Sequence, residues 1–239
     1  MTFHIFHHDE DNLAHEGCVH MSRATPAKDI VDFGKESLRL LDMRESGHDS
    51  TEWHEAKHGD DVVVYRGIVD GSVWNCIKTV ATIHCSAAYL CDRLNDAKAM
   101  TTFDEMSEYC HVIADIDAAT GTSIRHVKAK AIFPTSARDF LVVTSAAYTD
   151  KVYTIATRSI LHNDVPMDPH WVRATTLISG YVIRATGDHQ CEVTMIAHMD
   201  LGGHFPAFVI NLLAVDSPMG LMKRLQHLYN GKDFEPTKP

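Results

Sequence analysis

The chain has 239 residues, 45% of them hydrophobic and 23% charged, which fits a soluble globular protein with a sizeable core. Its net charge of −10 excludes a general nucleic-acid binder, which needs a basic footprint, and argues against purely electrostatic adhesion to anionic membranes.

Residues 1–24 are polar, acidic and His-rich with no sustained period, and read as a flexible N-terminal leader. They lack the basic and then apolar regions of a signal peptide. His4, His7 and His8 have a spacing that suits a metal, but isolated histidines at a terminus lack supporting partners, so a solvated tail is the stronger reading. From Thr25-Pro26, a cap followed by a first-turn proline, a helix is expected up to Gly47, with Ile30, Val31, Phe33, Leu38, Leu40, Leu41 and Met43 on its apolar side. Strands follow over Trp53 to Lys57, Val62 to Val69 and Val73 to His84, separated by the turn signals Gly59-Asp60 and Asp70-Gly71. Ser86 caps a helix to Leu94, and a helical turn is expected near Ala97 to Met100. A long β region follows: Glu108–Asp117, Thr122–Ile132, Phe140–Tyr148, Val152–Ile160, Trp171–Ala185 and Gln190–Asp200. Pro206 to Tyr229 reads as a terminal helix of about six turns, which Pro218 should kink or split. The result is one α+β domain over residues 25–232 with a short tail at 233–239.

The cysteines Cys18, Cys76, Cys85, Cys91, Cys110 and Cys191 form no C-x-x-C pair, and several sit in apolar strand-like runs. They read as reduced core residues of a cytoplasmic protein. The apolar run Pro206 to Val215 is too short to span a bilayer. Position 2 is not glycine and the C-terminus has no cysteine, so no lipid anchor is suggested.

Two words carry a resemblance. The first is Ala137-Arg138-Asp139-Phe140, followed by Leu141-Val142-Val143. The second is Asp200-Leu201-Gly202-Gly203-His204-Phe205-Pro206, preceded by Cys191-Glu192-Val193-Thr194 and followed by the terminal helix with Pro218. With Trp53 and Val62-Val63-Val64-Tyr65, they make residues Ala27 to Asn230 resemble a START (StAR-related lipid transfer) domain. The match is incomplete: Phe103-Asp104 stands where the family usually has Trp-Asp, and Ala137 replaces its common proline. The resemblance implies a helix-grip fold: a curved antiparallel sheet of about nine strands wrapped around a long C-terminal helix, with an internal cavity for one lipid. It also implies a mobile loop over Phe133–Arg138 and transient contact with a membrane surface.

Strand alternation then nominates the cavity wall. Thr122–Ile132 presents Arg125, Val127, Ala129 and Ala131 on one face and His126, Lys128 and Lys130 on the other, solvated one. Val142 and Thr144 are expected to face inward on the next strand, and Met195 and Ala197 on the last. The terminal helix offers Ile210, Leu213, Ala214, Leu221 and Leu225 at three- and four-residue steps, with Phe208, Val209 and Leu212 off that line. These are the candidate lipid-binding residues. The sterol-binding branch of the family carries a carboxylate at the position of Arg125 and an arginine at that of Thr144, and this chain has neither. A lone inward arginine suits a phosphate, so a phospholipid is favoured over a sterol; an Arg125 that pairs with an unseen carboxylate or snorkels to the rim is the competing reading. No G-x-S-x-G, Walker or H-E-x-x-H pattern occurs, and His198, Asp200 and His204 make a weak metal set. The expectation is therefore a monomeric lipid carrier without cofactor, metal, catalytic residues or nucleic-acid partner; a lipid sensor that does not transfer is the alternative.

Overall fold

A computed structural model describes residues 18–149, 151–203 and 205–234. Its elements are β1 (Val19–Met21), α1 (Ala27–Ser46), β2 (Glu52–His58), β3 (Val62–Ile68), β4 (Cys76–Ile83), α2 (Ala87–Asn95), α3 (Met100–Phe103), β5 (Ser107–Asp117), β6 (Thr122–Ala129), β7 (Arg138–Thr149), β8 (Val152–His162), β9 (Val172–Arg173), β10 (Thr175–Gly187), β11 (Gln190–Asp200), α4 (Ala207–Asn211), a π-helical turn (Leu212–Asp216) and α5 (Ser217–Tyr229). Nine strands form one antiparallel path, β2-β3-β4-β11-β10-β8-β7-β6-β5. The architecture is the α+β, open curved sheet with a C-terminal helix that the resemblance implied.

Two short strands add to the nine. β1 pairs in parallel with β8, and Met21 is buried in the core, so ordered structure begins inside the segment read as a leader. β9 pairs in parallel with β7 and leaves the run Trp171–Ala185 divided rather than a single strand. His4, His7 and His8 lie outside the described residues.

Local chemistry explains the helix ends. Ser86 caps α2 by accepting the Tyr89 N–H, and Gly47 ends α1 in the left-handed region at φ 77° with its N–H on Arg44 O. Thr25 does not cap α1; its hydroxyl accepts the Ser22 N–H at 2.9 Å, and Pro26 takes the cap position. α1 lies on the convex face of the sheet. Gly34 permits that contact, because a Cβ there would stand 2.0 Å from Ser145 Oγ of β7. Beneath α1 are Ile30, Ile124, Leu141, Val143 and Ile160.

The concave face carries the main core. Ile77, Ala81 and Ile83 of β4 and Val193 and Met195 of β11 pack against Met219, Met222, Leu225 and Tyr229 of α5. The split at Pro218 takes the form of the π turn just before it. A proline removes the N–H that an α-helix would aim four residues back, and the wider turn absorbs that loss. The extra residue also rotates the start of the helix. Val209 is therefore buried and Ile210 is 46% exposed, the reverse of the expected stripe.

Candidate functional site

Between the concave face and the C-terminal helix lies a cavity of about 310 Å³. Its floor is strand alternation made visible: Val127 and Ala129 from β6, Phe140 and Val142 from β7, Ser179 and Tyr181 from β10, and Met195, Ala197 and Met199 from β11. Leu213, Ser217, Pro218 and Leu221 of the helix form the roof, and Thr135, Ser136, Leu201 and Phe205 stand at one end. Lys130 also lines it, because β6 ends at Ala129 and the expected alternation ends with it.

Of the candidate lipid-binding residues, Val127, Ala129, Val142, Met195, Ala197, Leu213 and Leu221 line this cavity. Arg125, Thr144, Ile210, Ala214 and Leu225 do not. Leu225 is buried in the core below α5. Thr144 lies beyond the lining on the strand face of Val142, with its hydroxyl 3.1 Å from that of Thr157, which does line the cavity. Ile210 is turned outward by the π turn.

Arg125 lies beyond the lining but on the same strand face as Val127 and Ala129, and only 6% of its surface is exposed. Its partners are neutral: Nε donates to Ser123 Oγ at 2.8 Å and Nη2 to Asn95 Oδ1 at 3.0 Å. No carboxylate among the described residues forms an ion pair with it, although the charges of Asp115 and Asp96 reach it through space. Burial lowers its pKa.

Reasoning from sequence missed most of the polar groups in the cavity wall, Asp104 among them, and two matter most. Arg138 was visible only as part of a family word. It is 8% exposed and donates to Leu201 O at 3.2 Å, Gly202 O at 3.3 Å and Ser136 O, with its guanidinium 4.2 Å from the centre of the Phe205 ring. It too has no carboxylate partner among the described residues, and burial lowers its pKa. Ser179 carries a buried hydroxyl without a hydrogen-bond partner in the cavity wall. Such a group carries a desolvation penalty until something pairs with it. The signal for Ser179 was its two-residue step from Tyr181 on β10, next to Gly180. A Cβ at Gly180 would fall 1.9 Å from Ile155 O, so the backbones of β8 and β10 meet closely there.

The face opposite Arg125 is not simply solvated. His126 Nε2 lies 2.8 Å from Asp139 Oδ2, and Asp139 also receives Arg173 Nε at 3.0 Å and Nη2 at 2.9 Å. These contacts hold the Asp139 carboxyl below its ordinary pKa despite burial. Lys128 lies 4.3 Å from the centre of the Trp171 ring. His198 belongs to a structural network instead of a metal set: Nδ1 faces Arg44 Nη1 at 2.6 Å and Nε2 faces Trp74 O at 3.1 Å. Burial and the Arg44 charge push its pKa down to about 4. His204 lies outside the described residues, and among those described no group of three or more His, Cys, Asp or Glu is placed to hold a metal. No described helix is long and apolar enough to cross a membrane.

The fold is similar to that of human StAR-related lipid transfer protein 5, with a TM-score of 0.74 at 16% identity over 84% of this chain and 96% of that one. In sequence, human START domain-containing protein 10 is 27% identical over 193 residues, which are 75% of this chain and 64% of that protein. The chain therefore spans less than two thirds of the length of the curated START relatives it matches. A mouse acetyl-coenzyme A thioesterase is 26% identical over 109 residues, which are 44% of this chain and only 19% of that protein. The START domain family model matches residues 35–230, and this chain belongs to the START domain family.

Proposed function

We propose that the protein binds one lipid between the concave face and the C-terminal helix, with its acyl chains on the apolar wall, and carries it between membranes. A glycerophospholipid is the favoured ligand. The observation that supports this reading is the cation content of the concave side: Arg138 in the cavity wall and Arg125 just beyond it, both buried and both held by neutral acceptors alone. A buried guanidinium with no counter-charge gains most from an anionic partner, and phosphate suits its paired donors. Each buried methylene contributes about 0.8 kcal/mol whatever the lipid, so selectivity falls to these few polar groups. A sterol is the second reading, favoured by the neutral, unpaired Ser179 hydroxyl, which a single sterol hydroxyl would satisfy.

Entry requires the helix or the loop between β6 and β7 to move, since both close the cavity. Phe133 in that loop is 89% exposed and Phe208 on α4 is also exposed, apolar groups suited to brief contact with a bilayer. Liposome transfer assays with fluorescent phospholipid and fluorescent sterol test the assignment. Phospholipid should move from donor to acceptor vesicles, and a cross-link between the loop and α4 should stop it. High-affinity sterol uptake with no response to phospholipid vesicles would reverse the ligand order. Bound lipid without transfer would make the protein a sensor.

A further inference from the structure

A second hollow lies on the other side of the sheet, under the N-terminal end of α1, and its volume of about 540 Å³ exceeds that of the first cavity. It belongs to the convex core, where Ile30, Ile124 and Ile160 are buried but Ile113, Ile116 and Val165 remain only partly covered.

The sheet is shaped to make it. β5 is an edge strand, and its pairing with β6 slips between Val112 and Ala114 and again between Asp115 and Asp117. The residues left out of register are Ile113 and Ile116, and both line the hollow. Bulges re-aim side chains and recur beside binding sites.

One wall is polar and incomplete. His162 is 8% exposed and lines the hollow. Its Nδ1 accepts the Asp164 N–H at 3.2 Å, so the neutral ring carries its proton on Nε2. That Nε2–H meets no acceptor among the described residues. At the rim, the exposed Arg23 side chain holds Asp164 Oδ2 through Nε at 2.7 Å, and its Nη groups meet no partner among the described residues. The Nε2 donor of a buried ring, exposed guanidinium donors at the rim and an isoleucine-rich chamber on the same hollow make a site that is apolar at one end and lined with donors at the other.

We infer that this hollow is a second ligand site, separate from the cavity under the C-terminal helix, and that it takes a medium-chain fatty acid with its carboxylate on His162 Nε2 and Arg23. The inference stands apart from the lipid-transfer reading, because the two hollows share no residue.

The test uses the full chain with 13C-labelled isoleucine methyl groups, titrated with decanoate below its aggregation threshold. Ile113, Ile116 and Ile124 report on the second hollow; Ile132 reports on the first. Saturable shifts of the first group are expected, with affinity falling about tenfold or more for methyl decanoate and for His162→Phe, each of which removes one side of a charge-assisted hydrogen bond. Should His162→Phe fail to fold, Ala114→Met fills the hollow from another wall and should abolish the shifts. Shifts confined to Ile132, no shifts at all, or unchanged affinity in a folded variant would overturn the site. Transfer activity is read separately, so loss of either function leaves the other interpretable.

Discussion

The two faces of the sheet treat most of their buried arginines differently. On the convex side, three arginines find carboxylates, Arg173 with Asp139, Arg184 with Glu45 at 2.7 Å, and Arg44 with Asp49, while Arg158 lies over the Phe33 ring. On the concave side, Arg125 and Arg138 are buried and hydrogen-bond only to hydroxyl, amide and carbonyl oxygens. The contrast separates two jobs. A guanidinium closed by a carboxylate is complete and holds the fold together. One left with neutral acceptors keeps its charge available to whatever enters.

The largest effect should come from breaking a convex pair. Asp139→Ala strands Arg173 and His126, and loss of one partner of a buried pair costs about 3–5 kcal/mol. Urea unfolding should show this as a large drop in midpoint, and a loss under about 1 kcal/mol would dissolve the distinction between the faces, because that is the range of exposed ion pairs.

Acid offers a second way in, through His198 beneath α1. Its folded-state pKa of about 4 lies below the unfolded value of about 6.5, so the folded protein resists the proton that the unfolded chain accepts. Its contribution is complete above about pH 6.5 and is lost as pH falls toward 4, amounting to about 3 kcal/mol at the low end. Unfolding midpoints between pH 7 and 4 should therefore fall more steeply in the wild type than in His198→Gln. Parallel curves would show that the ring is not held neutral.

The concave arginines should give the smallest stability effect and a selective ligand effect. Arg125→Met removes a buried charge that has no counter-ion, so stability should change by less than about 1 kcal/mol or rise. Phospholipid binding should fall about ten- to a hundredfold, as expected for loss of a charged hydrogen bond. Lys128→Met, on the opposite face of β6, should leave lipid binding unchanged. Intact phospholipid binding in the Arg125 variant, with loss in the Lys128 variant, would invert the assignment of the faces.

Much of this layout is legible in the residues. Alternation placed Val127, Ala129, Val142, Met195 and Ala197 on one side of the sheet, and all five line the cavity. That works because the side-chain period of a strand is two, so parity alone assigns a face. The helix was harder. A three- and four-residue stripe assumes an uninterrupted α-helix, and the π turn at Leu212–Asp216 shifted its first turn by a residue, trading Val209 for Ile210. The bulges at Ile113 and Ile116 interrupt the strand period of β5 in a similar way. Parity with Tyr181 put Ser179 on the cavity face, but that its hydroxyl would go unpaired was not legible, since an unpaired hydroxyl is defined by its absent neighbours.

Sequence by itself determined the period-2 runs, the turns between them, the Ser86 cap, the α+β class and the words that mark the family. These depend on neighbours a few residues apart, where propensity and sterics act directly. Only the tertiary structure decided which arginine would find a carboxylate. Arg184 meets Glu45 across 139 residues and Arg44 meets His198 across 154, whereas Arg125 finds only Ser123 and Asn95. Long-range partners are set by the register and curvature of the whole sheet, so whether a buried charge holds the fold or waits for a ligand is a property that no local stretch of residues contains.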